Sequence, residues 1–410
     1  MQRAETADPL TAAASLPPKA HRMFVIAVLY LVTDIGFSFL FGGLSTILLD
    51  GGVAPATVGM ITLLGLAYFL RFLIAPVVDR YGSRRGHYRS WIILTQLVLV
   101  AALAGMALLD PFDSLSAVIV LMAVILALCA VHDAAVNGLT VRLLRPSERG
   151  IGNGIQVAAA TGSIVLGTGG ALLVYSAAGW TVTMLVLAAV FVLPLLVLIR
   201  FAEPTDGITP SRIAWSSLIS FFRLPGRKAF VFGILPALVA GLYLVTAVQS
   251  ALLLDVGWGL PTIALVLNTY GPVLGVLAGL GMGAAIGRWG RTVPLAVAGA
   301  ISALAVAAMF PLASGNGWDP LDIAAVLGIQ AAYSALATWA YTISMDNTRA
   351  EFAATDFSLQ VSVVGVLRII VSAIGLSLVT VLGYPMIIVI SAALALAGLV
   401  VCTVWTSRNR

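Results

Sequence analysis

Apolar stretches long enough to cross a bilayer recur about twelve times along this chain, and that recurrence governs what it can fold into. A helix spanning ~30 Å of hydrocarbon needs ~20 mostly apolar residues. Such stretches fall at about 23–49, 56–78, 91–109, 115–143, 152–176 and 180–200, and again at about 229–254, 261–287, 293–313, 321–345, 355–382 and 384–405. Hydrophobic residues fill 60% of the 410 positions and charged residues only 10%. A soluble domain carries about 25% charged residues, so most of this surface must face lipid. Backbone groups in lipid must be satisfied within the segment, which makes the stretches helices. The expectation is an all-α membrane protein of twelve transmembrane helices with both termini in the cytoplasm.

The basic residues test that count. With the N-terminus inside, the outer loops hold Asp50, Asp110, Asp113, Asp255 and Asp319 but no Lys or Arg. Of the 22 Lys and Arg residues, all but Arg71 and Arg368 fall in inner segments. A miscounted span would scramble this partition. It also accounts for the formal net charge of +5, so nucleic acid is excluded as a partner. Trp180, Trp258 and Trp318 sit at outer boundaries, and Trp91, Trp289 and Trp405 at inner ones, as interfacial aromatics do. Residues 1–22 read as a polar cytoplasmic tail and 406–410 as a second one. The apolar stretch after residue 22 is too long for a signal-peptide core, so it is an uncleaved first span. Cys129 and Cys402 lie inside apolar segments with no disulfide or metal-ligand spacing, and the chain calls for no metal or cofactor.

The connection at 201–228 is the longest and most polar internal one, with Pro204, Pro210 and Pro225. Residues 212–223 read as a short amphipathic helix on the inner surface. The connection divides the chain into an N-terminal half, 23–200, and a C-terminal half, 229–405, of six spans each. After span 2 the chain reads Ala75-x-x-x-Asp79-Arg80-Tyr81-Gly82-Ser83-Arg84, and after span 8 Gly283-x-x-x-Gly287-Arg288-Trp289-Gly290-Arg291. The first copy resembles the inner-loop signature of the major facilitator superfamily, with Ala75 in place of the leading glycine. The second lacks the acidic residue. The resemblance implies two six-helix halves that alternate access to a midplane site. It also implies an inner gate built from Asp79, Arg80, Gly82, Arg84, Glu148, Arg288 and Arg291. Here Asp79 caps the N-terminus of span 11, where the helix dipole favours an anion, and the arginines pair with Glu148. The competing reading is a solvated basic loop that only sets topology.

Charged side chains inside a membrane are costly and are functional candidates. Asp34 lies in span 1, Arg71 in span 2, His132 and Asp133 in span 4, and Arg368 in span 11. In the superfamily, spans 1, 2, 4, 5, 7, 8, 10 and 11 approach the cavity, and all five groups fall on these. Asp34 or Asp133 can pair with Arg71 or Arg368 to hold helices together. Alternatively, Asp34 and Asp133 carry the coupling proton, His132 relays it, and Arg71 and Arg368 hold an anionic cargo. Tyr30, Tyr68, Tyr243, Gln249, Asn268, Tyr270, Tyr333 and Trp339 are the further cargo-binding candidates, joined by Gln330 and Tyr341. That lining suits a bulky, polar, partly aromatic molecule.

Two stretches narrow the cargo. Span 4 ends Val131-His-Asp-Ala-Ala-Val-Asn137 and continues to Arg149-Gly150, and span 2 ends Arg71-Phe-Leu-Ile-Ala-Pro-Val-Val-Asp79. Both resemble the branch holding muropeptide permeases and siderophore permeases for rhizobactin and pyochelin. That branch usually carries a second acidic residue where Asn137 stands. Ala354-Thr-Asp-Phe-Ser-Leu-Gln360 and the twelve-span length are similar to the siderophore members. The glycine-rich span 5 lacks the Gly-Pro pair of drug–proton antiporters. The expectation is a monomeric, proton-driven importer of a ferric siderophore in the bacterial inner membrane. A muropeptide permease is the alternative, a drug exporter comes third, and an enzyme is disfavoured because no nucleophile motif occurs.

Single cysteines test the topology. Substitutions at Asp113 and Asp255 are expected to react with a membrane-impermeant thiol reagent in intact cells, and one at Gly287 only after permeabilisation. Labelling of position 287 in intact cells would contradict the count.

Overall fold

A computed structural model of the chain describes residues 16–83, 86–204, 215–317 and 319–408. Among these the structure is helical, with no strands and one isolated bridge, Ser83–Gly86. Nine helical stretches among the described residues are long and apolar enough to cross a membrane. They are Lys19–Asp50, His87–Met106, Leu115–Leu143, Arg149–Ile199, Arg227–Asp255, Pro261–Trp289, Thr292–Ala313, Asp319–Asp346 and Ala350–Arg408. Two are far longer than one crossing, at 51 and 59 residues, and each bends at a glycine in the left-handed region. Gly179 has φ +77° and Gly383 φ +71°. Only glycine holds that backbone without strain, so each stretch is two helices joined at a residue with no side chain.

The expected second span is an interrupted helix. It runs Pro55–Thr62, a 3₁₀ turn Leu63–Gly65, Leu66–Phe69 and Arg71–Arg80, with a break at Leu70. Pro76 sits inside the last piece and has no N–H to donate. The first helix is irregular as well. Its α-helical turns stop at Asp34 and continue through a π-helical stretch, Phe39–Leu44. Further π stretches occupy Leu166–Gly170, Phe230–Ile234 and Val266–Tyr270. Such bulges are rare and gather at functional sites.

The chain forms two compact units. The first contains the described residues up to Arg145, those of Gly162–Leu218, and Thr348–Ser358. Its apolar core joins Val32, Phe39, Leu99, Leu103, Met122, Ile125, Met184 and Phe191. At one end the Trp180 indole donates to the Met106 carbonyl at 2.9 Å, and Thr181 donates to Ala107. At the other, Glu203 accepts from the backbone N–H of Tyr88 and Arg89, the opening turn of His87–Met106. Burial pushes the Glu203 carboxyl above the usual range, against the pull of those two N–H groups. Of the residues 212–223 expected as a surface helix, 212–214 lie outside the described residues and Ser216–Phe221 is helical. Trp215 and Ile219 are exposed there while Phe221 is buried.

The second unit holds Pro146–Thr161, Ile219–Asn347 and the described residues from Leu359 on. Its helices meet at glycines. A Cβ on Gly154 would lie 2.8 Å from the Gly279 carbonyl oxygen, and one on Gly283 would lie 2.5 Å from that of Gly150. Helices in lipid gain nothing from hiding apolar surface, so close backbone packing holds them together. Helices of each unit carry large exposed apolar side chains, Leu94, Leu97 and Leu196 in the first and Leu304 and Val400 in the second. Lipid, not water, suits such a surface.

Gly154→Ala is expected to cost about 1–3 kcal/mol through overpacking, read as a lower unfolding midpoint of the purified protein. Gly281→Ala, whose Cβ meets nothing within 4 Å, is expected to leave it unchanged or raise it. Equal midpoints for the two variants would contradict the packing described.

Candidate functional site

Polar side chains that sequence scatters over three apolar helices are brought together in the first unit. Asp34 sits where the first helix loses its regular turns, with backbone φ −98° and ψ 3°. Its carboxylate accepts from the Tyr68 hydroxyl at 2.7 Å. The Tyr68 ring lies under the Arg71 guanidinium, 4.9 Å from its centroid. Arg71, at the start of the helical piece after Leu70, pairs with Asp133 at 2.7 Å. Asp133 also accepts from the Asn137 amide at 2.8 Å. The Asn137 carbonyl takes the Tyr30 hydroxyl at 2.7 Å. Tyr30 and Asp34 are one turn apart on the first helix, so both ends of the polar path lie on that helix.

The network is almost dry. Arg71 and Asp133 have side chains only 7% and 5% exposed. An unpaired charge at such a place costs several kcal/mol, and a partner with good geometry offsets it. The Arg71 and Asn137 contacts given above both fall on Asp133 Oδ2. The sequence left four Asp–Arg pairings open, and the geometry selects one. Arg71 is thereby a counter-ion to Asp133 and is not presented to an anionic cargo in this conformation.

His132 differs from expectation. It turns to the helix His87–Met106 and meets the Gln96 side chain at 2.7 Å. Successive side chains on a helix diverge by about 100°, so His132 and Asp133 face different neighbours and form no relay here.

In the second unit, Arg368 donates to the Tyr333 hydroxyl at 3.2 Å and lies 5.7 Å from the centre of that ring. The Tyr243 ring is 6.0 Å from Tyr333. Among the described residues no carboxylate lies within ion-pair distance of Arg368. These contacts turn it toward helices Leu235–Asp255 and Asp319–Asp346, which makes a cation set among phenol hydroxyls. Gln249 is buried on the same helix as Tyr243, and its amide nitrogen has no partner. Asn268 and Tyr270 are exposed in the π stretch Val266–Tyr270. Trp339 is fully buried and donates to the Arg291 backbone carbonyl at 2.9 Å. It packs an inner loop and lines no accessible surface.

The gate candidates are distributed over both units. Asp79 is buried and accepts from Tyr88 hydroxyl at 2.6 Å and from the backbone N–H of Ala354 and Thr355 at 3.0 and 2.7 Å. It therefore caps the N-terminus of the helix Ala353–Arg408, where a carboxylate meets the positive dipole end. Arg349 grips Asp356 bidentately at 2.7 Å and donates to the Ser217 carbonyl at 3.0 Å. Asp346 pairs with Arg291 at 2.5 Å and Arg149 at 2.9 Å. Arg80 stacks on Tyr81 and Arg288 on Trp289. Gly82 is exposed, and a Cβ there would run into the His87 ring. Glu148 is buried, and Arg84 lies outside the described residues. Asn137, Tyr88, Asp346, Arg349 and Asp356 were not singled out from sequence. Their signal was faint: a polar residue one turn from Asp133, or a charge beside an inner loop.

Arg71→Ala or Asp133→Ala, each stranding one buried charge, is expected to cost about 3–5 kcal/mol. The double variant Arg71→Ala/Asp133→Ala is expected to recover most of that in thermal unfolding. Additive losses in the double variant would show that the two residues do not pair.

Comparison with known proteins agrees with this geometry. The family model described as Major Facilitator Superfamily matches residues 26–371. The putative transporter AmpG 4 of Rickettsia felis is 24% identical over 302 residues, 70% of this chain and 72% of that protein. The anhydromuropeptide permease of Escherichia coli K12 is 29% identical over 194 residues, 46% of this chain and 38% of the permease. Among solved structures, a bacterial homologue of the iron transporter ferroportin in its outward-facing state aligns with TM-score 0.72 at 15% identity, covering 94% of this chain and 99% of that one. The proton:xylose symporter XylE aligns with TM-score 0.65 at 12% identity, covering 93% and 94%. At such identities the solved structures speak for the fold alone. The match across most of the chain places this membrane transporter in the Major Facilitator Superfamily.

Proposed function

We propose that the chain is a proton-driven importer of the bacterial inner membrane, working as a monomer by alternating access. Its twelve crossings form two six-helix halves, 23–200 and 229–405, joined by the inner connection 201–228, with both termini cytoplasmic. The glycine breaks at 179 and 383 each split one of the nine apolar stretches in two, and the interrupted helix 55–80 lies outside the nine, which together support twelve crossings.

The observation that carries the coupling is the buried Arg71–Asp133 pair among the polar contacts of Asp34, Tyr68, Asn137 and Tyr30. A proton arriving at the Asp133 carboxylate cancels the charge that holds Arg71. The guanidinium must then seek other acceptors, with Asp34 next along the path. Loading and unloading the proton thus changes which helices are tied together, as coupling requires. His132, set against Gln96, takes no part in that exchange.

For the cargo, a sugar peptide of the anhydromuropeptide class is the reading that the Escherichia coli permease favours. It displaces the ferric siderophore expected from sequence to second place, which the stretch Ala354–Gln360 still supports. Either cargo carries anionic groups. Arg368 with Tyr333 and Tyr243 offers one cation and hydroxyl donors to such a group, beside Gln249 with its unpaired amide. A sugar ring stacks well on aromatic faces of this kind.

Labelled anhydromuropeptide and a labelled ferric siderophore, offered to vesicles that are acidic outside, separate these readings. The expected result is accumulation of the muropeptide that collapses when the pH gradient is removed. Accumulation of the chelate alone would install the second reading, and uptake indifferent to the gradient would remove the proton mechanism. Arg368→Gln is expected to raise KM for the anionic cargo about 10- to 100-fold, the worth of a charge-assisted contact. An unchanged KM would remove Arg368 from the cargo site.

A further inference from the structure

The proton site and the capped start of helix Ala353–Arg408 are joined by a single side chain. Asn137 spends its amide N–H groups on two partners. One is Asp133 Oδ2 at 2.8 Å, and the other is the Ser358 hydroxyl at 3.5 Å. Ser358 is fully buried and lies one turn beyond Ala354 and Thr355. Those two residues give their backbone N–H groups to Asp79. The first turn and a half of this helix is therefore held at two points. Asp79 grips its free N–H groups, and Asn137 grips its hydroxyl. All of these residues belong to the first unit.

We propose that Asn137 is a positioning residue that transmits the protonation of Asp133 to Ser358, loosening the Asp79-capped helix start when Asp133 takes up its proton. The inference rests on the proton-coupling reading above and names the element that carries it to the inner side. The orientation of the amide supports it. Its carbonyl is committed to the Tyr30 hydroxyl, so its N–H groups face the carboxylate and Ser358. An ionised Asp133 accepts strongly from that amide and fixes it. A neutral carboxyl accepts weakly, and the amide loses the partner that fixes its plane. Asn137 is 1% exposed, so no water stands ready to replace the lost bond. The 3.5 Å contact to Ser358 is the weakest bond of the set and is the one that a small tilt of the amide breaks.

The charged and titratable groups around Asp133 are few. Arg71 and Tyr68 face it from the broken helix 55–80, and Asp34 and Tyr30 from the first helix. On its own helix, His132 is turned away to Gln96. From Ala353–Arg408 the facing group is the uncharged Ser358, while Asp356 is held by Arg349. Arg71 and Asn137 are thus the groups that report the charge of Asp133, and of the two Asn137 is the one bonded to the capped helix.

A cysteine at position 355 reads this without any cargo. Thr355 is fully buried and its bond to Asp79 runs through the backbone, so Thr355→Cys keeps that bond. It is accessible to a thiol reagent only when the helix start opens. The native Cys129 and Cys402 are buried, and the protein without the added cysteine is the blank. In reconstituted full-length protein, labelling is expected to be about tenfold faster in acidic than in alkaline buffer, a typical coupling between two sites. Adding Asn137→Ala, or Ser358→Ala with the Asp133–Asn137 bond intact, is expected to flatten that dependence. Ser358→Thr, which retains the hydroxyl, is expected to keep it. Labelling that ignores pH without these changes overturns the inference, as does a dependence that survives Ser358→Ala. Failure of vesicle uptake alongside a normal labelling response would instead indict the cargo assignment, and pH-driven uptake with flat labelling would indict this inference alone.

Discussion

A charge in a membrane interior survives only with a partner, and the Arg71–Asp133 pair is the point on which the first unit turns. Neither ion could stay charged alone among apolar helices. Together they fix the broken helix 55–80 against Leu115–Leu143, and the surrounding hydroxyls and amide spread the charge over Asp34, Tyr68, Asn137 and Tyr30. A pair of this sort is a poor way to gain stability, since apolar residues of equal volume would serve as well. In the proposed mechanism its value lies in being switchable, since one proton would convert a fixed tie into two groups that must find new partners.

The rest of the structure is suited to responding. Three helices depart from regular α geometry close to the polar groups: at Asp34, at Leu70, and along the π stretches Phe39–Leu44 and Leu166–Gly170. In the second unit, carbonyl-to-glycine approaches at Gly150, Gly154, Gly279 and Gly283 present smooth backbone surfaces without interdigitated side chains. Packing of that kind resists separation yet tolerates sliding. Around the capped start of helix Ala353–Arg408 and beside it the constraints are electrostatic. Asp79 caps a helix, Arg349 clasps Asp356 and reaches the Ser217 carbonyl, and Asp346 is shared between Arg149 and Arg291.

The helical, membrane-spanning character could be read from the chain because lipid leaves a segment few choices. The intramembrane ionisable residues were also legible, since each is an expensive exception. Their pairing was not. Sequence offers Asp34 and Asp133 against Arg71 and Arg368 with nothing to choose among them. The choice depends on the break at Leu70, which a run of apolar letters hides. His132 and Trp339 were misplaced for a related reason. Chemistry marked them as candidates, but helix rotation turns one to Gln96 and the other to the Arg291 carbonyl. Asn137 looked like a departure from a family pattern, and only its bonds to Tyr30, Asp133 and Ser358 show where it sits. The cargo is the least legible feature, because aromatic and amide side chains accept many ligands and the relative whose name gives one aligns over 38% of its length at 29% identity.

The central claim is that Asp133 carries the coupling proton. Proteoliposomes loaded with a pH-sensitive dye test it most directly, with cargo added to the outside in the absence of any imposed gradient. The account predicts that the unsubstituted protein acidifies the lumen as cargo enters. Asp133→Asn is predicted to exchange labelled for unlabelled cargo while moving no protons. Cargo-driven acidification that persists in Asp133→Asn would contradict it.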